Sequence, residues 1–153
     1  MERFRRHFAG YEEAFVLIGG TACDEWFSLD GARFRTTRDI DMVLLGADHS
    51  RFARQFWAFV RAGGYEVGLR RDRRRTYYRF SKPWQADFPH MIELFSAAPL
   101  EITPADGQQI VPVTLDDDVS SLSAILLNAA YYEFLVAQRE VVNGLPLAKP
   151  KRD

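Results

Sequence analysis

Two aspartates separated by one residue, Asp39 and Asp41, lie in an apolar run that continues to Leu45. A β-strand points alternate side chains to the same face, so the two carboxylates would share one small volume. Neighbouring like charges are costly unless a cation or hydrogen bonds compensate them. Oxygen ligands alone favour a hard cation, Mg²⁺ or Mn²⁺, over zinc. The alternatives are a solvated strand edge or ion pairs with the arginines of the preceding loop, which are Arg33, Arg35 and Arg38.

A pair of glycines, Gly19 and Gly20, follows the apolar run Phe15–Ile18 and precedes Thr21. Glycines let the backbone turn sharply and approach a ligand closely, and a helix N-terminus offers unpaired amide donors to an anion. Thr21 suits the N-cap position, or its hydroxyl contacts a phosphate oxygen instead. The pattern therefore predicts either a phosphate-binding turn or a tight strand-to-helix connection without a ligand. Neither the Walker A nor the G-x-G-x-x-G pattern is matched.

A third acidic residue, Glu93, lies among apolar neighbours in the run Pro89–Phe95. An isolated ionised carboxylate costs several kcal/mol when it is fully buried, so Glu93 requires a compensating partner. That partner is a metal ion in one interpretation and Arg79 or Arg75 on the adjacent strand in the other.

The order of a glycine pair opening a helix and then a D-x-D strand resembles the nucleotidyltransferase superfamily of the polymerase β type. Gly19, Gly20, Asp39 and Asp41 carry the likeness. Within the superfamily the stretch GARFRTTRDIDMV, residues 31–43, is most similar to the AbiEii-type toxins, in which an arginine and a threonine precede the acidic pair. The resemblance covers the chain well as far as Phe95 and loosely beyond it.

This resemblance implies transfer of a nucleoside monophosphate from a nucleoside triphosphate to a hydroxyl group, with magnesium or manganese as cofactor. The acids would be Asp39, Asp41 and Glu93, of which the first two bridge two metal ions and Glu93 binds the second ion and accepts the proton. The nucleotide would be bound by Gly19, Gly20 and Thr21. Arg38, or an arginine of the basic turn at 70–75, would offset charge on the leaving pyrophosphate.

The acceptor stays open at this point. By resemblance it is RNA, especially a tRNA end, in a toxin of a toxin–antitoxin pair, or a protein hydroxyl, or a small molecule such as an aminoglycoside. An antitoxin or a second copy of the chain would then bind the C-terminal helix. Two alternatives belong to other classes: a catalytically inactive module that senses nucleotides or binds a partner, and a structural oligomer.

Composition fits one globular domain. The chain has 153 residues, 47% of them hydrophobic, and domains commonly run from about 100 to 200 residues. Its single cysteine, Cys23, has no partner for an internal disulfide, which favours a reducing cytoplasm, and neither a signal peptide nor a membrane span is predicted. Only three of the 20 basic residues are lysines, a bias that suits phosphate binding or reflects an arginine-rich genome.

Hydrophobic periodicity predicts an α/β (α+β) fold in which helices flank a mixed sheet. We expect a nucleotidyltransferase core over residues 1–115 and a C-terminal helical extension over residues 116–153. The predicted helices are 2–13, 21–29, 50–62 and one long helix over 121–142. The predicted strands are 15–18, 39–45, 65–69, 76–80, 89–95, 100–103 and 109–114.

Overall fold

The computed structural model describes residues 1–20, 22, 39–46, 49–69, 75–97, 110–113 and 122–149. Within these residues the protein is a mixed sheet of nine strands with helices packed on it, which confirms the predicted α+β class. The helices are α1 (Glu2–His7), α2 (Ser50–Gly63) and α3 (Ala129–Gln138). The strands are β1 (Phe15–Ile18), β2 (Asp39–Leu44), β3 (Glu66–Leu69), β4 (Arg75–Ser81), β5 (Met91–Ser96), β6 (Ile110–Pro112), β7 (Ser123–Leu126), β8 (Arg139–Val142) and β9 (Leu145–Ala148).

The main path of the sheet runs β3-β4-β5-β2-β1-β9-β8. β2 lies between β5, to which it is parallel, and β1, to which it is antiparallel. β9 joins the other side of β1 in a parallel pairing. β7 pairs in parallel with the end of β5 and antiparallel with β6. The two acidic strands, β2 and β5, are therefore interior neighbours.

One face of the sheet holds the main hydrophobic core. Alternation along β2 points Ile40, Met42 and Leu44 to this face, where α1 and α2 cover them. The core is rich in aromatic side chains, which are Phe4, Phe8, Phe15, Phe52, Phe56, Phe59 and Phe80. Their ring centroids lie 4.6 to 6.0 Å apart in tilted, stacked and edge-to-face pairs, separations at which aromatic contacts are favourable.

The helix α2 forms where its apolar stripe predicts it. Phe52, Phe56 and Phe59 recur at helical spacing and are buried, and Gly64 ends the helix in a left-handed conformation with φ +67°. The N-cap is His49. The helix predicted at 50–62 is thus confirmed.

The opposite face carries a smaller apolar cluster beside the acidic residues. Val16, Val43, Leu135 and Ala148 are its buried members. Leu135 belongs to α3, so α3 covers one end of this face. The other end holds Asp41 and Glu93, because side chains of β2 and β5 at these alternate positions point to the same side as Val43.

The long helix predicted over residues 121–142 is wrong. Residues 123–126 form β7, the helix spans only Ala129–Gln138, and Arg139 is already extended with ψ 133°. The break lies at Asn128, whose side-chain oxygen accepts hydrogen bonds from the amides of Ala130 (2.8 Å) and Tyr131 (3.3 Å). An asparagine that caps the helix in this way satisfies amides at its first turn, so the helix begins there.

The dipeptide Asn143-Gly144 forms a hairpin turn, where we expected the end of a helix. Its φ angles are +51° and +78°, the left-handed pair that a two-residue type I′ turn requires. The turn joins β8 to β9, and β9 then pairs with β1. The C-terminal segment therefore contributes strands to the central sheet and does not form a helical extension.

Other predicted elements are either present in the structure or fall outside the residues that it describes. The strands predicted at 15–18, 39–45, 65–69, 76–80 and 89–95 are present with small shifts of their ends, and α1 is shorter than the predicted 2–13. Part of the strand at 109–114 is β6, which pairs with β7. The helix at 21–29, the strand at 100–103, the basic turn at 70–74 and the domain boundary at 115/116 lie outside the described residues.

Among the described helices, none combines the length and the apolar character that a membrane span needs.

Substitution of the α3 cap tests the corrected C-terminal segment. We expect Asn128→Ala to lower the free energy of unfolding by about 1 kcal/mol, because two helix amides lose their acceptor. Chemical denaturation measures the change, and Asn128→Asp, which keeps a capping oxygen, should retain stability. A helix running through residue 128 would give the opposite sign, since alanine has the higher helix propensity by roughly 0.5 kcal/mol.

Candidate functional site

Asp41 and Glu93 face each other across two neighbouring parallel strands. The register of β2 and β5 pairs Asp41 with Glu93, Ile40 with Ile92 and Met42 with Leu94. Residues paired in this way point to the same face, so the fully buried apolar pairs belong to the core and the acidic pair points away from it. The structure thus brings together two of the three acids that the sequence suggested.

Asp39 shares the face of Asp41 but lies two residues earlier, at the start of β2. Its partner on β5 is Met91, and it is exposed where Asp41 is half-buried. Its charge still reaches Asp41, since Asp39 is one of the groups that disfavour ionisation there. The three acids therefore lie on one face without forming a closed cluster.

The pKa of Asp41 is raised to about 6. Desolvation is the largest cause, followed by the negative charges of Glu93 and then Asp39. Burial and like charges both disfavour the ionised carboxylate, so the charged form of Asp41 is destabilised in the folded protein. Such a group, in a site that a cation would stabilise, marks a candidate functional residue.

Gly19 lies against the carboxylate of Asp41. Its backbone has φ +74°, and a Cβ atom placed on it would lie 3.0 Å from Oδ2 of Asp41. The residue therefore needs to be glycine both for its left-handed conformation and for this close approach. Helical backbone begins at Gly19 and Gly20, so the first turn that could offer amides to an anion starts beside Asp41.

Arg79 on β4 extends the row on the other side of Glu93. The register of β4 and β5 pairs Arg79 with Glu93. The Arg79 Nε and Nη2 groups donate hydrogen bonds of 3.3 and 3.1 Å to Oε2 of Glu93. The ion pair that the sequence offered as an alternative for Glu93 is thus present, and the row reads Arg79, Glu93, Asp41 across three strands.

The donor set suits a hard cation but is open as it stands. Asp41 and Glu93 supply carboxylate oxygens side by side, which is the chemistry that Mg²⁺ and Mn²⁺ prefer. In the part of the chain that the structure describes, no three acidic, histidine or cysteine side chains lie close enough together to hold a metal ion. A cation bound here would take two neighbouring carboxylates from the protein, and Asp39 would have to move to add a third.

The remaining residues suggested for nucleotide binding divide into two groups. Gly20 is exposed at the start of the helical turn, next to Gly19. Thr21 and Arg38 lie outside the described residues, as do the arginines at positions 70, 71, 73 and 74.

That α3 borders this site was not predicted from the sequence. Tyr132 packs against the small apolar cluster, and its hydroxyl accepts a hydrogen bond of 3.4 Å from the amide of Gly46, just after β2. The dipeptide Asn143-Gly144 could have predicted a β-hairpin at this point of the sequence. A hairpin there ends the helix earlier and places β9 in the sheet.

Comparison with protein-family models, with curated proteins and with solved structures returns no match for this chain.

Asp41→Asn should stabilise the protein at neutral pH. The raised pKa corresponds to a penalty of about 3 kcal/mol for ionising Asp41 in the folded state, which solvent screening at a half-buried group reduces to about 1 kcal/mol. The unfolded group ionises near pH 4 and the folded one near pH 6, so stability falls as pH rises through this window. Urea denaturation at pH 7.5 should give Asp41→Asn a higher free energy of unfolding than the wild type, and this difference in stability should vanish below pH 4.

Asp87→Asn is the matched control for that measurement. Arg3 donates a hydrogen bond of 2.9 Å to Asp87 and holds the pKa of this exposed carboxyl below its usual range. Removing its charge should therefore not stabilise the protein at pH 7.5. Stabilisation by both substitutions would indicate a general charge effect and contradict the local penalty at Asp41.

Gly19→Ala should destabilise the protein more than Gly10→Ala. Both glycines have positive φ, +74° and +90°, but a Cβ at Gly10 meets nothing within 4 Å. Gly19→Ala should lower the free energy of unfolding by about 1 kcal/mol more than Gly10→Ala does, because the new methyl group crowds Asp41. Repeating the substitution in an Asp41→Ala background should remove the excess, and an unchanged difference would contradict the contact.

Proposed function

We propose that the protein is a metal-dependent nucleotidyltransferase that moves a nucleoside monophosphate from a nucleoside triphosphate to a hydroxyl acceptor. One observation carries the proposal: Asp41 and Glu93 lie in register on adjacent parallel strands, with the glycine turn at Gly19 against Asp41. Asp41, whose ionisation is disfavoured by burial and by the charge of Glu93, lies beside a potential phosphate cradle, which suits a site that binds a cation and a polyphosphate together.

In this proposal the sheet is a nucleotidyltransferase core of the polymerase β type, and the closest group is the AbiEii-type toxins. Two features support this: the glycine pair ends the strand beside the D-x-D strand, and the third acid lies on the next strand. Toxin activity, with an antitoxin as partner and RNA or a tRNA end as acceptor, is part of the same proposal. Since nucleoside triphosphates are intracellular substrates, the proposal places the protein in the cytoplasm.

In the proposed site the acidic residues bind the cation and the glycine turn binds the phosphates. Asp41 and Glu93 would hold the cation, Mg²⁺ or Mn²⁺, with Asp39 joining them from the edge of the same face. When bound, the cation supplies charge neutralisation for the phosphates and lowers the pKa of the attacking hydroxyl. The amides of Gly20 and the residue that follows it would bind the outer phosphates at the first helical turn.

The transfer itself exchanges one bond for another. The oxygen of the acceptor hydroxyl forms a bond to the α-phosphorus, the bond from that phosphorus to the β-phosphate bridging oxygen breaks, and pyrophosphate leaves. The hydroxyl proton passes to a carboxylate, for which Glu93 is the candidate. Catalysis then depends mainly on positioning and electrostatics, as in other phosphoryl transfers.

A second candidate function has an observation of its own. The ion pair between Arg79 and Glu93, together with the open arrangement of the acids, also suits a module that has kept the fold without catalysis. Such a module would bind a nucleotide or a partner protein and turn nothing over.

The two candidates separate in a transfer assay. We expect the purified protein, incubated with each labelled nucleoside triphosphate, Mg²⁺ and total RNA or lysate, to release pyrophosphate and label one acceptor class. Asp41→Asn should lower the rate by at least about 100-fold, because the main cation ligand loses its charge. The charge-matched control Asp87→Asn should keep the wild-type rate, since Asp87 belongs to an exposed ion pair with Arg3.

Absence of both label transfer and pyrophosphate release with all four nucleotides would contradict the enzymatic proposal. Nucleotide binding that persists under those conditions would then favour the inactive module.

A further inference from the structure

Of the two adjacent carboxylates, Arg79 binds that of Glu93 and not that of Asp41. Both of its hydrogen bonds reach a single oxygen of Glu93, Oε2, and from the described residues Oε1 accepts none. Glu93 is mostly buried, with 16% of its side chain exposed, whereas 48% of the Arg79 side chain is exposed. The arginine therefore approaches from solvent and can leave the carboxylate without disturbing the core.

The guanidinium of Arg79 lies beside Glu93, where a bound cation would also have to lie. Arg79, Glu93 and Asp41 occupy consecutive strands at matching register, and adjacent strands lie about 4.8 Å apart. A positive charge beside Glu93 repels a divalent ion that bridges Glu93 and Asp41. It also compensates Glu93 in the protein without such an ion, where an uncompensated buried carboxylate would be costly.

We propose that Arg79 is the resident counter-cation of the acidic row: it neutralises Glu93 until a divalent ion binds there, and it then turns to the phosphates of the nucleotide. This inference rests on the proposed function, since it concerns the same site. In this scheme Arg79 first compensates the charge of Glu93 and then contacts the substrate directly. Its planar fork suits both partners, a carboxylate and a phosphate.

Two ligands of opposite charge separate this role from that of a static ion pair. We expect Arg79→Gln to bind Mn²⁺ roughly five- to tenfold more tightly than the wild type, because a competing positive charge is gone. In saturating Mn²⁺ the same variant should bind inorganic tripolyphosphate roughly tenfold more weakly, because a bidentate phosphate contact is lost. Calorimetry and the electron paramagnetic resonance of free Mn²⁺ measure both affinities without any turnover.

Two further variants control the measurement. Arg3→Gln removes one positive charge and an ion pair with Asp87 from α1, which packs on the opposite face of the sheet, so both affinities should stay at wild-type values. Arg79→Lys keeps the charge but not the planar fork, so Mn²⁺ affinity should stay near wild type and tripolyphosphate affinity should fall. Circular dichroism of each variant verifies that the fold is retained.

Each outcome decides the inference. Wild-type binding of Mn²⁺ with unchanged or weaker binding by Arg79→Gln would overturn the role of Arg79 and leave the proposed function standing. Tighter Mn²⁺ binding with unchanged tripolyphosphate affinity would overturn the phosphate contact. If neither the wild type nor Arg79→Gln binds Mn²⁺, the proposed function fails, and the inference fails with it. Binding by the variant alone would support the inference, as the arginine would then block the site.

Discussion

The register between β2 and β5 is the constraint on which the rest of the structure depends. On one side of these strands Ile40, Met42, Ile92 and Leu94 are fully or almost fully buried under α1 and α2. A slip of one residue would turn these side chains out of the core and the acids into it, at a cost of several kcal/mol. The aromatic core thereby fixes the pairing of Asp41 with Glu93 against their mutual repulsion, and the electrostatic strain at Asp41 is the result.

Local patterns in the sequence were sufficient to predict the elements around this pair. Four elements are each legible from one contiguous stretch of sequence, and the structure contains all of them: the apolar run of β1, the alternation of β2, the stripe of α2 and the antiparallel pair of β3 and β4. The proximity of Glu93 to Asp41 was different, because pairing between strands far apart in sequence has no local signature. It was expected only through the family resemblance. The ion pair with Arg79 was one of two open alternatives for the same reason.

The C-terminal segment shows why the rest escaped prediction. Leu122, Leu126, Ala129 and Val136 recur near helical spacing, yet Leu122 precedes β7, Leu126 ends β7, and only Ala129 and Val136 belong to the short helix α3. A short apolar run fits either period, and the choice is made by partners elsewhere: β5 and β6 for β7, and β1 for β9. Asn128 and Asn143 are the local residues that enforce the choice, one as a helix cap and the other in the turn.

The pairing of β9 with β1 has a consequence for synthesis on the ribosome. β1 is made before all the other described strands, while β9, which covers its outer side, is made after all of them. Until then the apolar edge Phe15–Ile18 has no neighbour from β9, and unpaired edges of this kind invite association with other chains. The strand that leads into the glycine turn therefore reaches its two-sided pairing only after β9 has left the exit tunnel. A nascent chain would complete the sheet around its candidate site at that stage and not earlier.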